Sequence, residues 1–138
     1  MVKDKIKTLV LLDVHAILHR AYHALPDFTS SQGEPTGGLY GLASMLIKII
    51  KDLKPDYLVA CYDLPDTTFR KATYDAYKAG RKPIDDALVS QIKRSRDLFI
   101  AFNIPIYEAP GFEADDVIGT LAALAKQAPD IRIVIASG

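Results

Sequence analysis

The sequence has no tryptophan and a single cysteine, Cys61. One thiol excludes an internal disulfide, and its place in the apolar run "YLVACY" fits a reducing cytoplasm. Net charge is also missing: 17 Lys and Arg balance 17 Asp and Glu, so any electrostatic attraction to a polyanion must be local. No apolar run is long enough to span a bilayer. The N-terminal "TLVLL" is short, is closed by Asp13 and lacks a small-residue cleavage site after it, so it reads as a buried strand rather than a leader. Internal repeats and low-complexity segments are absent as well. What remains is 138 residues, 49% hydrophobic, enough for one domain with one core.

"TLVLLD" is apolar without alternation, the mark of a strand covered on both faces. "VHAILHRAYHAL" has apolar residues at helical spacing, and "SSQGEPTGG" is a turn-rich loop. "LYGLASMLIKIIKDL" reads as a second amphipathic helix stopped by Pro55, and "DYLVACYD" as a second buried strand. Residues 64–85 are polar, basic and aromatic with no clear period. "ALVSQIKRSRDLFIAF" is helical, "IPIYEA" a short strand, "EADDVIGTLAALAKQ" a helix and "IRIVIAS" a last strand. Strands alternating with helices in this way predict an α/β fold, a parallel sheet flanked by helices on both faces, with right-handed crossovers.

In such sheets ligands bind beyond the carboxyl ends of the strands. Asp13 closes the first strand and Asp63 the second, while Glu113, Asp115 and Asp116 follow the third by a short "PGF" turn. Five acids from three segments are thus expected on one rim. Held close, like charges repel and some would take up protons. A divalent cation removes the conflict, and carboxylates without Cys or His clusters suit Mg²⁺ or Mn²⁺. Five exceed the usual needs of one Mg²⁺ and point to two ions, about 4 Å apart, which activate a water and stabilise the leaving oxygen of a phosphodiester. The plain alternative is that acids in a first helical turn complement the helix dipole. Glu113 and Asp116 share a face at spacing i, i+3, and Asp115 points elsewhere.

"FRKATYDAYKAGRKP" sets Arg70, Lys71, Lys78, Arg81 and Lys82 against one Asp75, with Tyr74 and Tyr77 interleaved. Basic side chains neutralise phosphates and aromatic faces stack on unpaired bases, although most charge runs are solvated loops. His15, His19 and His23 at i, i+4, i+8 could face a zinc, but the glutamate of the metalloprotease motif is missing and no Cys joins them. The glycines of "QGEPTGGLYG" lack the spacing of a phosphate-binding fingerprint; Gly37 and Gly38 instead start the second helix or allow a close backbone approach.

Four stretches in order, "LLDVHAILHRAYHAL", "TSSQGEPTGGLYG", "CYDLPDTTFRKATYDAYKAGRKP" and "PGFEADDVIGTLA", resemble the N-terminal part of the 5′ nuclease domain of bacterial DNA polymerase I, in the flap endonuclease family. The resemblance implies a PIN-like, Rossmann-like nuclease core. It implies a metal-dependent 5′-3′ exonuclease and flap endonuclease acting on DNA with 5′ ends or flaps, or on RNA primers. Mg²⁺ or Mn²⁺, two ions in the complete domain, would serve as cofactor. Asp13, Asp63, Glu113, Asp115 and Asp116 resemble the family's metal ligands. Lys78 resembles the lysine at the base of a helical arch that contacts the scissile phosphate, and Arg81 belongs to the same basic element. Tyr77 would stack on a base, Arg20 would face phosphate, and Arg70 and Lys82 would add to the nucleic-acid contact.

Two departures qualify these expectations. The family has glycine after the first aspartate; here it is Val14, whose β-branch restricts the backbone and could aim Asp13 differently. The sequence also stops at "IVIASG", where the family continues into an Asp-x-Asp pair of further ligands and later a helix-three-turn-helix. Residues 1–138 are therefore expected to be a shortened portion of such a domain, after the fourth strand, with weak metal binding and impaired cleavage. A non-catalytic nucleic-acid-binding or interaction module is the competing reading. A phospho-acceptor signalling domain is disfavoured because paired acids at the first strand end are absent.

Overall fold

A computed structural model describes residues 5–64 and 85–138. The chain runs β1 (Lys7–Asp13), α1 (Val14–Ala24), α2 (Gly37–Leu53), β2 (Tyr57–Cys61), α3 (Asp86–Ala101), β3 (Ile106–Tyr107), α4 (Ala114–Ala125) and β4 (Ile131–Ala136). All strand pairings are parallel and the order across the sheet is β3-β2-β1-β4. The expected alternation of strands and helices is what forms.

Alternate residues of the central strands serve different helices, because successive side chains leave a strand on opposite faces. Val10, Leu12 and Ala60 join a cluster with Ile17, Leu18, Leu42, Leu46, Leu88 and Phe99, contributed by α1, α2 and α3. Leu11, Val59 and Cys61 face the other way and pack on Ala114 and Ile118 of α4. Each fully buried Leu, Val or Phe contributes about 1.5–3 kcal/mol, so the sheet is held from both sides. The first crossovers carry the chain outward from β1 to β3, and α4 then carries it back to β4 on the far side of β1. The direction of winding therefore reverses beside β1, and the crevice at its carboxyl end is the topological switch point.

Small residues let α1 and α2 approach closely: a Cβ on Gly41 would lie 2.5 Å from that of Ala21. At Gly38 a Cβ would lie 2.9 Å from Gln91 Oε1, which accepts the Leu39 N–H at 3.0 Å. Gly37 and Gly38 thus both open α2 and permit a close approach, as expected. α2 ends in a left-handed Lys54 (φ 45°), before Pro55.

Some boundaries differ from the sequence expectation. β2 stops at Cys61, so Tyr62 and Asp63 lie beyond it. "IPIYEA" yields only a two-residue β3, paired through Ala60↔Ile106 and Cys61↔Tyr107. β4 is less covered than a doubly buried strand: Ile135 is 54% exposed, and among the described residues β4 pairs only with β1.

Candidate metal and nucleic-acid site

Asp13 is both the last residue of β1 and the N-cap of α1, where its Oδ1 accepts the Ala16 N–H at 3.3 Å. That bond satisfies one orphan donor of the helix. The side chain is buried, and its carboxyl is held above the ordinary 3.8, first by burial and then by the negative charges of Asp115 and Asp63. The Asp115 side chain is also within hydrogen-bonding reach of it. Val14 opens α1 with its side chain fully buried.

Asp63 reaches the same ledge from β2. Its Oδ1 accepts the N–H of Ala114, the first residue of α4, and its Oδ2 lies 3.6 Å from His15 Nδ1. A carboxylate at a helix N-terminus is favoured by the helix dipole. Burial lowers the pKa of His15, so the imidazole is held toward its neutral form although Asp63 pulls the other way. Its Nε2 is buried without a hydrogen-bond partner among the described residues.

The acids of "EADD" divide their duties. Glu113 is the N-cap of α4, 5% exposed, and forms a capping box with Asp116: each side chain accepts the backbone N–H of the other residue, that of Glu113 at 3.0 Å from Asp116 Oδ2. Asp115, on another face, is the acid that meets Asp13. Asp63 and Asp115 thus stand close enough to act on the Asp13 carboxyl. Among the described residues, no group of three or more His, Cys, Asp or Glu side chains is placed to hold a metal ion. The donor chemistry, carboxylate oxygens crowded enough to raise a pKa, fits a hard divalent cation.

The three histidines do not share a face as donors. His15 turns inward, edge-on to Tyr62 at 5.7 Å, while His19 and His23 stand 6.3 Å apart. Arg20 lines an open groove of about 660 Å³ beside His19 and His23. Arg70, Tyr77, Lys78, Arg81 and Lys82 lie outside the described residues.

Sequence reasoning missed Tyr62, Ser95, Arg96 and Glu108. The buried Tyr62 hydroxyl is hydrogen-bonded to Ser95 Oγ, and the Arg96 guanidinium sits 4.5 Å over its ring. Burial pushes the phenol up to about 12. Arg96 grips Glu108 with both terminal nitrogens. Tyr62 lies 33 positions from Ser95, and Arg96 lies 12 from Glu108 on a different element, so no local period joins them.

The fold is that of the PIN-like α/β nucleases, a parallel sheet whose switch point carries acids. It superposes on the T5 D15 protein co-crystallised with metal ions, with a TM-score of 0.65 at 19% identity over 96% of this chain and 50% of that one. The structure described as divalent metal ions (zinc) bound to T5 5′-exonuclease matches with a TM-score of 0.57 at 20% identity, over 92% and 48%.

The chain belongs to the family described as 5′-3′ exonuclease, N-terminal resolvase-like domain, whose model matches residues 8–138. It is 44% identical to DNA polymerase I of Caldicellulosiruptor bescii over 94% of this chain and 15% of that protein. It is 41% identical to a 5′-3′ exonuclease of Aquifex aeolicus over 84% and 40%. The chain therefore spans well under half the length of these relatives.

Proposed function

We propose that this chain is the metal-binding half of a 5′ nuclease domain that hydrolyses phosphodiester bonds in DNA bearing 5′ ends or flaps, with Mg²⁺ or Mn²⁺ as the ion. The observation that carries the reading is the meeting of Asp13, Asp63 and Asp115, from three segments, at the switch point, where burial first and then the two neighbouring charges raise the Asp13 carboxyl. Such crowding is destabilising in a protein without a cation and useful in one that takes it up. Asp13, Asp63 and Asp115 would hold the ion. Glu113 and Asp116 would stiffen the first turn of α4 and aim Asp115, and they stand close enough in sequence to serve as ligands too. When bound, the ion supplies a nucleophilic water and stabilises the leaving oxygen.

The chain's own residues would do the rest. Asp63, hydrogen-bonded to Ala114 N–H, keeps one oxygen oriented, and Asp13 accepts the Ala16 N–H. The basic segment containing Arg70, Tyr77, Lys78, Arg81 and Lys82 would neutralise and stack on the substrate strand, with Lys78 and Arg81 acting at the reacting phosphate and Arg20 on a flanking one. β4 pairs Ala136 with Leu12, the neighbour of Asp13. An Asp-x-Asp placed after that strand would enter the same ledge and add to the ligand set. The small number of carboxylates gathered by the described residues favours a second reading, in which this portion binds nucleic acid without cutting it.

The test is a 5′-flap DNA incubated with Mn²⁺ and either the 138-residue chain or a version extended through an Asp-x-Asp. We expect cleavage by the extended version, loss of it on Asp13→Ala, and little by the 138 residues alone. An extended version that binds the flap and never cuts it would leave only the second reading. Equal turnover by the two would refute the need for further ligands.

A further inference from the structure

We propose that Arg96 is a positioning residue for Asp63, acting through Tyr62, and this rests on the reading of Asp63 as a metal ligand. The sheet does not hold Asp63, because β2 ends at Cys61 and the last link to β3 is the bond from Tyr62 N–H to Tyr107 O at 3.1 Å. What holds it is its neighbour. Tyr62 is fully buried and gripped from several directions: edge-on by Phe99 at 6.0 Å and by His15 at 5.7 Å, at its hydroxyl by Ser95, and across its face by Arg96.

The cap on that face is a charged fork rather than an apolar side chain. Arg96 and Glu108 side chains are 35% and 31% exposed, so the pair sits at the rim of the core, not in its middle. A planar guanidinium held at two points by a carboxylate has its orientation fixed, which an alkyl chain or an ammonium would not achieve. Glu108 directly follows β3, so the clasp also ties α3 to the strand that pairs with β2. His15 touches both the Tyr62 ring and Asp63. Asp63 is thereby aimed through Tyr62 and by its own contact with His15.

The Ala114 amide reports this directly. As the first N–H of α4 it has no acceptor within the helix and donates to Asp63 Oδ1. Its hydrogen exchange, read by NMR in this chain, measures the placement of Asp63 without any metal. Ile118, buried in the same helix, is the internal control. For Arg96→Met we expect Ala114 exchange to accelerate roughly tenfold with Ile118 unchanged. Mn²⁺ affinity, from water-proton relaxation, should weaken by a similar factor. Arg96→Lys should fall between, since it keeps the charge and loses the fork. Glu108→Gln frees the guanidinium from the outer side without touching the core and should reproduce the pattern even if Arg96→Met folds poorly. Unchanged Ala114 exchange in Glu108→Gln and Arg96→Lys would overturn the proposal, as would Ala114 and Ile118 accelerating together. If the wild type takes up no Mn²⁺ yet Ala114 still responds, the metal reading fails and the positioning role stands.

Discussion

Asp115 and Asp116 are adjacent and chemically identical, yet the fold gives them opposite tasks. Asp116 faces back to Glu113 and closes a capping box, which stabilises α4. Asp115 faces Asp13 across the sheet edge, where its charge opposes ionisation of a buried carboxyl. One acid strengthens the fold; the other adds to the charge that opposes ionisation of Asp13. Helical geometry is the reason, since residues one apart diverge by about 100° while i and i+3 meet.

The contrast is broken most severely at Asp13. Asp13→Asn in a version extended through an Asp-x-Asp should lower flap cleavage by on the order of 10²–10³, measured by single-turnover gel assay. Asn caps a helix as well as Asp does, so the same substitution should raise the stability of metal-free protein at neutral pH. Asp116→Ala should do the reverse and destabilise by about 1 kcal/mol through the lost cap, read from urea midpoints, with a smaller loss of cleavage than Asp13→Asn. If both substitutions destabilise equally, the division of tasks is wrong.

A pH series sharpens the point. Asp13 has a raised folded pKa, so the folded state binds its proton more tightly than the unfolded state does. Its ionisation therefore costs stability, which is lost as pH rises from the ordinary 3.8 through the folded value. Metal-free wild type should match Asp13→Asn in urea midpoint below that ordinary value and fall behind it at neutral pH. Saturating Mg²⁺ should narrow the gap. A gap of the opposite sign would remove the crowding argument.

The smallest effect concerns the face that α4 covers. Cys61 is buried there and its thiol is pushed up to about 12 by burial, with Asp13 adding to it. Native protein should resist alkylation at pH 8, and Asp13→Asn should change that little, because desolvation dominates. Mass spectrometry after a timed pulse of iodoacetamide checks it; rapid native labelling would mean that α4 opens readily.

Much of this was legible in the amino acids. The unalternating "TLVLLD" and the helical spacing of "VHAILHRAYHAL" announce a covered parallel strand followed by a helix, because burial on both faces demands apolar residues at every position. The same logic puts Asp13 at a strand end, and the i, i+3 spacing already separated Glu113 and Asp116 from Asp115. Harder to read was "IPIYEA", six residues with strand character of which two pair, since pairing depends on how far the neighbouring strand extends and not on propensity.

Local chemistry thus specified the elements, their order and the acids at their ends, for helix and strand periodicities are written in neighbouring residues. Which carboxylates face one another was decided only when β1, β2 and α4 came together, and so was the clasp of Ser95, Arg96 and Glu108 on Tyr62. Those contacts join residues far apart in the chain, and their energies depend on distance, burial and the angle of a ring, none of which exists before the core closes.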